Sequence, residues 1–158
     1  RKFPEDEQMY VSEAAQAYRA EGTPMIVIGG KDYGMGSSRD WAAKGPALLG
    51  VNAIIANSFE RIHRSNLIGM GIVPLLFKEG EGRESLNLSG KETLELTNLD
   101  SGITDAAPIH VTATALDGME TSFDVLADVR SSYETECLKS GGVLLKVMNA
   151  YMAEAGSA

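Results

Sequence analysis

The sequence predicts an α/β domain: a small parallel or mixed sheet flanked by helices in three layers, with an antiparallel hairpin region attached. Three observations point that way. Short apolar runs bounded by glycine sit at 25–28, 51–56 and 72–77, as buried strands do. Stretches with helical start and stop signals separate them, which is the alternation of a β/α unit. Beyond Lys78 the pattern changes to apolar–polar alternation, broken at Asp117-Gly118, a strong two-residue hairpin signal.

The elements follow in order. Met9, Tyr10, Ala14, Ala17 and Tyr18 recur at helical spacing and predict a helix over 9–21, closed by Gly22 and followed by Pro24. Gly29-Gly30 ends the first strand, and 31–36 is a loop. Ser37 or Ser38 can cap a helix reaching Lys44 with Asp40 in its first turn, and Gly45-Pro46 is expected to stop it. Residues 47–50 read as a turn or a short helical segment. Asn57 and Glu60 are spaced as a capping box for a helix over 58–67, ended by Gly69 and Gly71. A charged loop at 80–84 precedes alternating strands at 86–88, 93–96 and 109–115, and 120–125 is the return strand of the hairpin. Helices at 132–139 and 143–152 flank Gly141-Gly142. Residues 1–8 are charged, contain Pro4 and do not begin with methionine, so they read as a linker from preceding domains of a longer chain. Residues 9–153 read as one domain and 154–158 as a flexible tail.

Composition narrows the function. The chain has 158 residues, 44% apolar and 23% charged, which fits one soluble globular domain with a real core. No apolar run reaches the roughly 20 residues of a membrane helix, and nothing reads as a signal peptide. A net charge of −8 disfavours phosphate backbones, although Arg61, His63 and Arg64, beside Arg39 and Lys44, form a local basic cluster. Cys137 is the only cysteine, so no internal disulfide forms. With His63 and His110 it makes a poor metal set, because structural zinc takes about four ligands and iron–sulfur clusters several thiolates. The chain alone is therefore expected to hold no such cofactor. The missing disulfide framework and secretion signal fit the cytoplasm.

The stretch that carries chemistry is Gly29-Gly30-Lys31-Asp32-Tyr33-Gly34-Met35-Gly36-Ser37-Ser38-Arg39-Asp40-Trp41. It follows a buried strand and opens a helix, where ligands gather in α/β sheets and where unpaired N–H groups attract anions. Gly34 and Gly36 let backbone approach a ligand, and Arg39 can grip a carboxylate with two parallel hydrogen bonds. The same donors favour a serine alkoxide over the alcohol, which suits a serine acting as a base. The stretch is not a dinucleotide or P-loop fingerprint, nor a nucleophile elbow. Anion binding at Ser37–Arg39 and plain helix capping by the two serines both fit these residues.

Gly-Lys-Asp-Tyr-Gly-Met-Gly-Ser-Ser-Arg-Asp-Trp-Ala-Ala-Lys-Gly-Pro at 30–46 resembles the signature of the C-terminal swivelling domain, domain 4, of aconitases. The similarity is greatest to the bacterial aconitase A and iron regulatory protein branch. Ser-Phe-Glu-Arg-Ile-His-Arg-Ser-Asn-Leu-Ile-Gly-Met-Gly-Ile-Val-Pro-Leu at 58–75 is a second such block, and Gly141-Gly142-Val143-Leu144 a weaker third. The resemblance is dense over 22–77 and thin over 78–128. It implies a swivelling β/β/α fold and a part in interconverting citrate and isocitrate through cis-aconitate. It implies Ser37 as the base, and Ser38 and Arg39 as ligands of substrate carboxylates. It also implies a [4Fe-4S] cluster held by other, N-terminal domains of the parent polypeptide, with this fragment inactive alone. Cys137 falls outside any cluster spacing.

Arg61 reads as a buttress of the loop, a contact to the substrate-side domains, a helix-surface ion pair or part of a capped helix end. His63 is a proton shuttle or a structural histidine. Asp32 orients Arg39 or Lys31, or makes the turn. Tyr33 and Trp41 are packing or interface residues, and His110 has no evident partner. Three rivals stand beside the leading reading. The parent can be a dehydratase of 2-methylcitrate or homocitrate type. The chain can be a free-standing small subunit like that of isopropylmalate dehydratase. The parent can also be a clusterless RNA-binding regulator, which the acidic balance does not favour.

Overall fold

A computed structural model of the chain describes residues 1–156. Its elements are α1 (Val11–Ala20), β1 (Met25–Ile28), α2 (Trp41–Leu49), β2 (Val51–Ala56), α3 (Arg61–Gly69) and β3 (Val73–Phe77), then β4 (Thr93–Thr97), α4 (Leu99–Asp105), β5 (Ile109–Thr114), β6 (Glu120–Ala127), α5 (Ser132–Lys139) and α6 (Val143–Gly156). One six-stranded sheet runs β1-β2-β3-β6-β5-β4. β1, β2 and β3 are parallel, and the β3–β6, β6–β5 and β5–β4 pairs are antiparallel. The hairpin region thus continues the same sheet, joined where Leu75 of β3 pairs with Ala127 of β6.

The two halves are buried differently, as their patterns require. β2 is apolar at nearly every position and packs on both faces. Val51 and Ile54 join Ala43 of α2 and Leu67 of α3, whereas Ala53 and Ile55 join Leu75, Val111, Val125, Cys137 and Leu138. α2 and α3 share one face, as right-handed crossovers between neighbouring parallel strands demand. β5 and β6 alternate instead. Ile109, Val111, Ala113, Phe123 and Val125 enter the core, while His110 and Asp124 turn outward and pair with each other at 2.9 Å. Lys78 Nζ completes that cluster 2.6 Å from Asp124, so His110 finds partners only across strands. Three layers therefore cover the parallel half, and β4–β6 keep a polar outer face.

Several local expectations are corrected. α2 runs through Gly45-Pro46, because Ala43 and Ala47 pack on the sheet and hold a helix that lacks one hydrogen bond, and Gly50 closes it at φ 91°. Ser37 and Ser38 do not cap it, since its N-cap is Asp40. α3 starts at Arg61, not Ser58. Its N-cap is Glu60, which accepts the His63 N–H at 2.8 Å, while Asn57 donates to the Glu81 carbonyl at 2.6 Å. Residues before Glu60 stay extended because Phe59 bridges Tyr33 in parallel fashion.

Residues 86–88 are not a strand. Asn87 is left-handed at φ 52°, and the turn around it drops Leu88 into the core. α4 escapes the sequence patterns, being short and polar, and it packs through Ile103, with Gly102 lying directly against Ile109. The segment read as a linker folds onto α1. The Phe3 N–H donates to Tyr18 Oη at 2.7 Å, and buried Lys2 pairs with Glu5 and Glu21 at 2.7 and 2.9 Å. α6 runs on through Gly156, since Ala153, Glu154 and Ala155 are good helix formers. The rest of the expected tail, 157–158, lies outside the described residues. None of the described helices is long and apolar enough to cross a membrane.

Gly141-Gly142 is a contact rather than a mere break. A Cβ on Gly142, at φ 119°, would sit 2.7 Å from the Gly69 carbonyl oxygen, and one on Gly71, at φ 77°, would sit 2.6 Å from that of Gly141. The end of α3 thus meets the α5–α6 turn backbone to backbone. Gly142→Ala should cost about 2 kcal/mol or more, read as a lower urea midpoint with an unchanged slope.

Candidate active site

The glycine-rich loop joins β1 to α2 and is laid over the start of α3. Tyr33 and Phe59 bridge, the Tyr33 N–H donating to the Ser58 carbonyl and the Glu60 N–H to the Tyr33 carbonyl, both at 2.9 Å. Asp32 is left-handed at φ 52°, its N–H donates to Ser58 Oγ at 2.7 Å, and Ser58 Oγ–H donates to Asp32 Oδ1 at 3.1 Å. Asp32 therefore makes the turn and does not orient Arg39. Gly34, at φ 94°, sits directly on the His63 ring, and any Cβ there would fall inside it. Further along, Asn66 Nδ2 donates to the Ser38 carbonyl at 3.2 Å. The two sequence blocks are thus one unit, with Ser58, His63 and Asn66 seating the loop.

Held this way, Gly34 to Arg39 line an open cleft of about 620 Å³ with Glu60. Ser37 is half-buried, and its Oγ accepts the Arg39 N–H at 3.3 Å. Ser38 and Arg39 are exposed at the cleft. Among the described residues no carboxylate pairs with the Arg39 guanidinium, so that charge is left for an anion. Glu60 puts one carboxylate on the same wall and spends an oxygen on the His63 N–H. The cleft therefore offers hydroxyls, a free guanidinium and loop backbone, the set suited to gripping a carboxylate.

Other predicted residues are placed elsewhere. Arg61 is exposed, outside the cleft lining, with no side-chain hydrogen bond to the loop among the described residues. The basic cluster dissolves on folding. His63 is buried, and Arg64 turns inward to Glu134 at 2.7 Å and to the Asp128 carbonyl at 2.7 Å. Tyr33 packs edge-on against Phe59, with ring centroids 5.9 Å apart, whereas Trp41 is exposed with Lys44 Nζ over its ring at 4.6 Å. Glu60, Ser58 and Asn66 were missed as site residues. The available signal was the spacing of His63 and Asn66, which puts both on one helix face.

Among the described residues no three His, Cys, Asp or Glu side chains come together to hold a metal ion, and Cys137 is buried in the core. These residues do not fit an iron–sulfur cluster.

The chain matches the family described as Aconitase C-terminal domain over residues 1–80. It is 48% identical over 149 residues to aconitate hydratase A of Pseudomonas aeruginosa, covering 94% of this chain and 16% of that protein. It is 46% identical over 158 residues to aconitate hydratase A of Thermus thermophilus, covering 98% of this chain and 17% of that one. The chain thus spans only 16% to 17% of the length of these relatives. Its fold is also that of a 3-isopropylmalate dehydratase from Methanocaldococcus jannaschii, with TM-score 0.59 and 18% identity over 99% of this chain and 87% of that one. The chain belongs to the aconitase C-terminal domain family.

Removing one tether tests the geometry. Asn66→Ala should leave the Ser38 carbonyl without its donor, cost about 1 kcal/mol, and speed amide exchange at Ser38 and Arg39 while exchange in β2 stays unchanged.

Proposed function

We propose that this chain is the swivelling domain of an aconitate hydratase and supplies the base and part of the carboxylate grip for citrate and isocitrate interconversion. The observation that carries this is one cleft lined by Ser37, Ser38 and Arg39, with Ser37 Oγ accepting the Arg39 N–H. Two hydratases aligning with nearly the whole chain support aconitate chemistry over the related dehydratase reactions.

In this reading Arg39 and the Ser38 hydroxyl bind substrate carboxylates. That places the neighbouring C–H bond at Ser37 Oγ. Ser37 acts as an alkoxide and takes the proton as the C–O bond to the substrate hydroxyl breaks and the double bond of cis-aconitate forms. The hydroxyl departs as water on the side of the other domains, and on rehydration water adds back as Ser37 returns the proton. An unassisted serine is too weak an acid to be ionised near neutral pH. The Arg39 N–H and guanidinium favour its charged form, and closure against other domains strengthens both by excluding water. In this reading the [4Fe-4S] cluster that the family resemblance implies is held by those other domains; the chain's single cysteine, Cys137, is buried in the core and does not suit such a cluster. The chain alone should bind tricarboxylates weakly and turn over nothing.

Ser37→Ala in the full-length hydratase should lower kcat by on the order of 10²- to 10⁴-fold and leave KM within a few-fold. Near-normal turnover would overturn the base assignment. Arg39→Lys should instead raise KM about tenfold or more, because a lysine cannot make two parallel hydrogen bonds to a carboxylate.

A further inference from the structure

We propose that His63 is a positioning residue of this cleft: its uncharged imidazole, buried beneath Gly34, is the seat that sets where Ser37 and Arg39 stand. The seat itself rests only on the geometry; its kinetic consequence rests on the function proposed above.

His63 is 3% exposed, in the first turn of α3. Its ring lies against the Gly34 Cα on one side, and Tyr33 packs on it with centroids 5.5 Å apart. Gly34 opens the run that lines the cleft, so the ring fixes where the run leading to Ser37 and Arg39 begins. Nδ1 is buried with no hydrogen-bond partner. A neutral ring can carry that nitrogen as an unused acceptor. An imidazolium must donate from both nitrogens, and no acceptor waits at Nδ1.

Tyr33 from the loop faces the ring, the Glu60 carboxylate acts on it from the His63 backbone N–H that it accepts, and Arg61 and Arg64 flank it along α3, with Arg64 committed to Glu134. Burial lowers the His63 pKa below its ordinary value, and the Glu60 carboxylate opposes that shift. The unfolded chain therefore takes up the proton first as pH falls. The seat is intact above about pH 6.5 and is lost as pH drops through the lower folded value.

Amide NMR of this chain between about pH 8 and about pH 5 tests the seat. The signals of Gly34, Gly36, Ser37 and Arg39 should move together through one inflection below the ordinary histidine value. His63→Phe should keep the neutral-pH loop spectrum and abolish the inflection, because the ring remains and its titration is gone. His63→Ala should shift or broaden the same amides at every pH. Should His63→Ala unfold, His63→Phe alone decides. An inflection persisting in His63→Phe, or loop amides unmoved in folded His63→Ala, would overturn the proposal.

In the full-length hydratase, His63→Ala should lower kcat about 10- to 100-fold with KM little changed, and His63→Phe should recover most of it. Expected spectra together with near-normal turnover in Ser37→Ala would sink the serine-base reading and leave the seat standing. Unmoved loop signals with a dead Ser37→Ala would do the reverse.

Discussion

The candidate site depends on one close approach, the Gly34 backbone resting on the His63 ring. No side chain fits between them, and the left-handed φ of 94° suits glycine in any case. Around that contact the chain adds directional ties: the Tyr33–Phe59 bridge, the Asp32–Ser58 hydrogen bonds and the Asn66 amide on the Ser38 carbonyl. Each hydrogen bond is worth only about 1 kcal/mol, but together they confine a glycine-rich loop that would otherwise sample many conformations. Ser37, Ser38 and Arg39 share a cleft because their loop has been given one place to sit.

α3 carries this order from the core to the site. Leu67 joins the cluster around Ile54, and Ile68 joins the cluster around Ile55 and Leu75, so the helix is anchored in both cores. A buried ion pair, Arg64 with Glu134, ties it to α5. Such a pair contributes little net stability, but either partner alone would be a costly buried charge, so the pair fixes where α5 docks. Arg64 holds the Glu134 carboxyl below the usual carboxylate range, which makes that dock weaken as acid protonates Glu134. The backbone contact of Gly69 and Gly71 with Gly141 and Gly142 closes the same joint at the far end of the helix. With α3 anchored at both ends, the loop seated on it keeps one place relative to the rest of the described fold.

The charge distribution sets the cleft apart from the rest of the surface. The chain is acidic overall, at −8, yet the cleft presents a guanidinium free of protein partners among the described residues. Lys2, Arg64, Lys78 and Arg130 are each taken up by carboxylates. An arginine left over on an acidic body discriminates by local geometry rather than by a long-range positive field.

What could be read without coordinates was whatever depends on near neighbours in the chain. The apolar runs at 25–28, 51–56 and 72–77 hold the parallel strands, the third beginning one residue later at Val73; Asp117-Gly118 makes its hairpin turn, and the glycine-rich run is the loop lining the cleft. Short-range readings failed where partners far along the chain compete. Pro46 stays helical because Ala43 and Ala47 are packed. Asn57 gives up capping for the Glu81 carbonyl. Leu88 is drawn into the core from a turn, and His110 acquires Asp124. His63 shows the limit plainly. Its identity suggests acid–base chemistry or structure equally well, and only folding reveals a buried ring under Gly34 with an orphaned nitrogen. Periodicity and turn chemistry act over a few residues and are written in the chain. Burial, charge pairing and the orientation of a side chain are decided by residues brought together from afar, and they exist only once the sheet and α3 have closed around them.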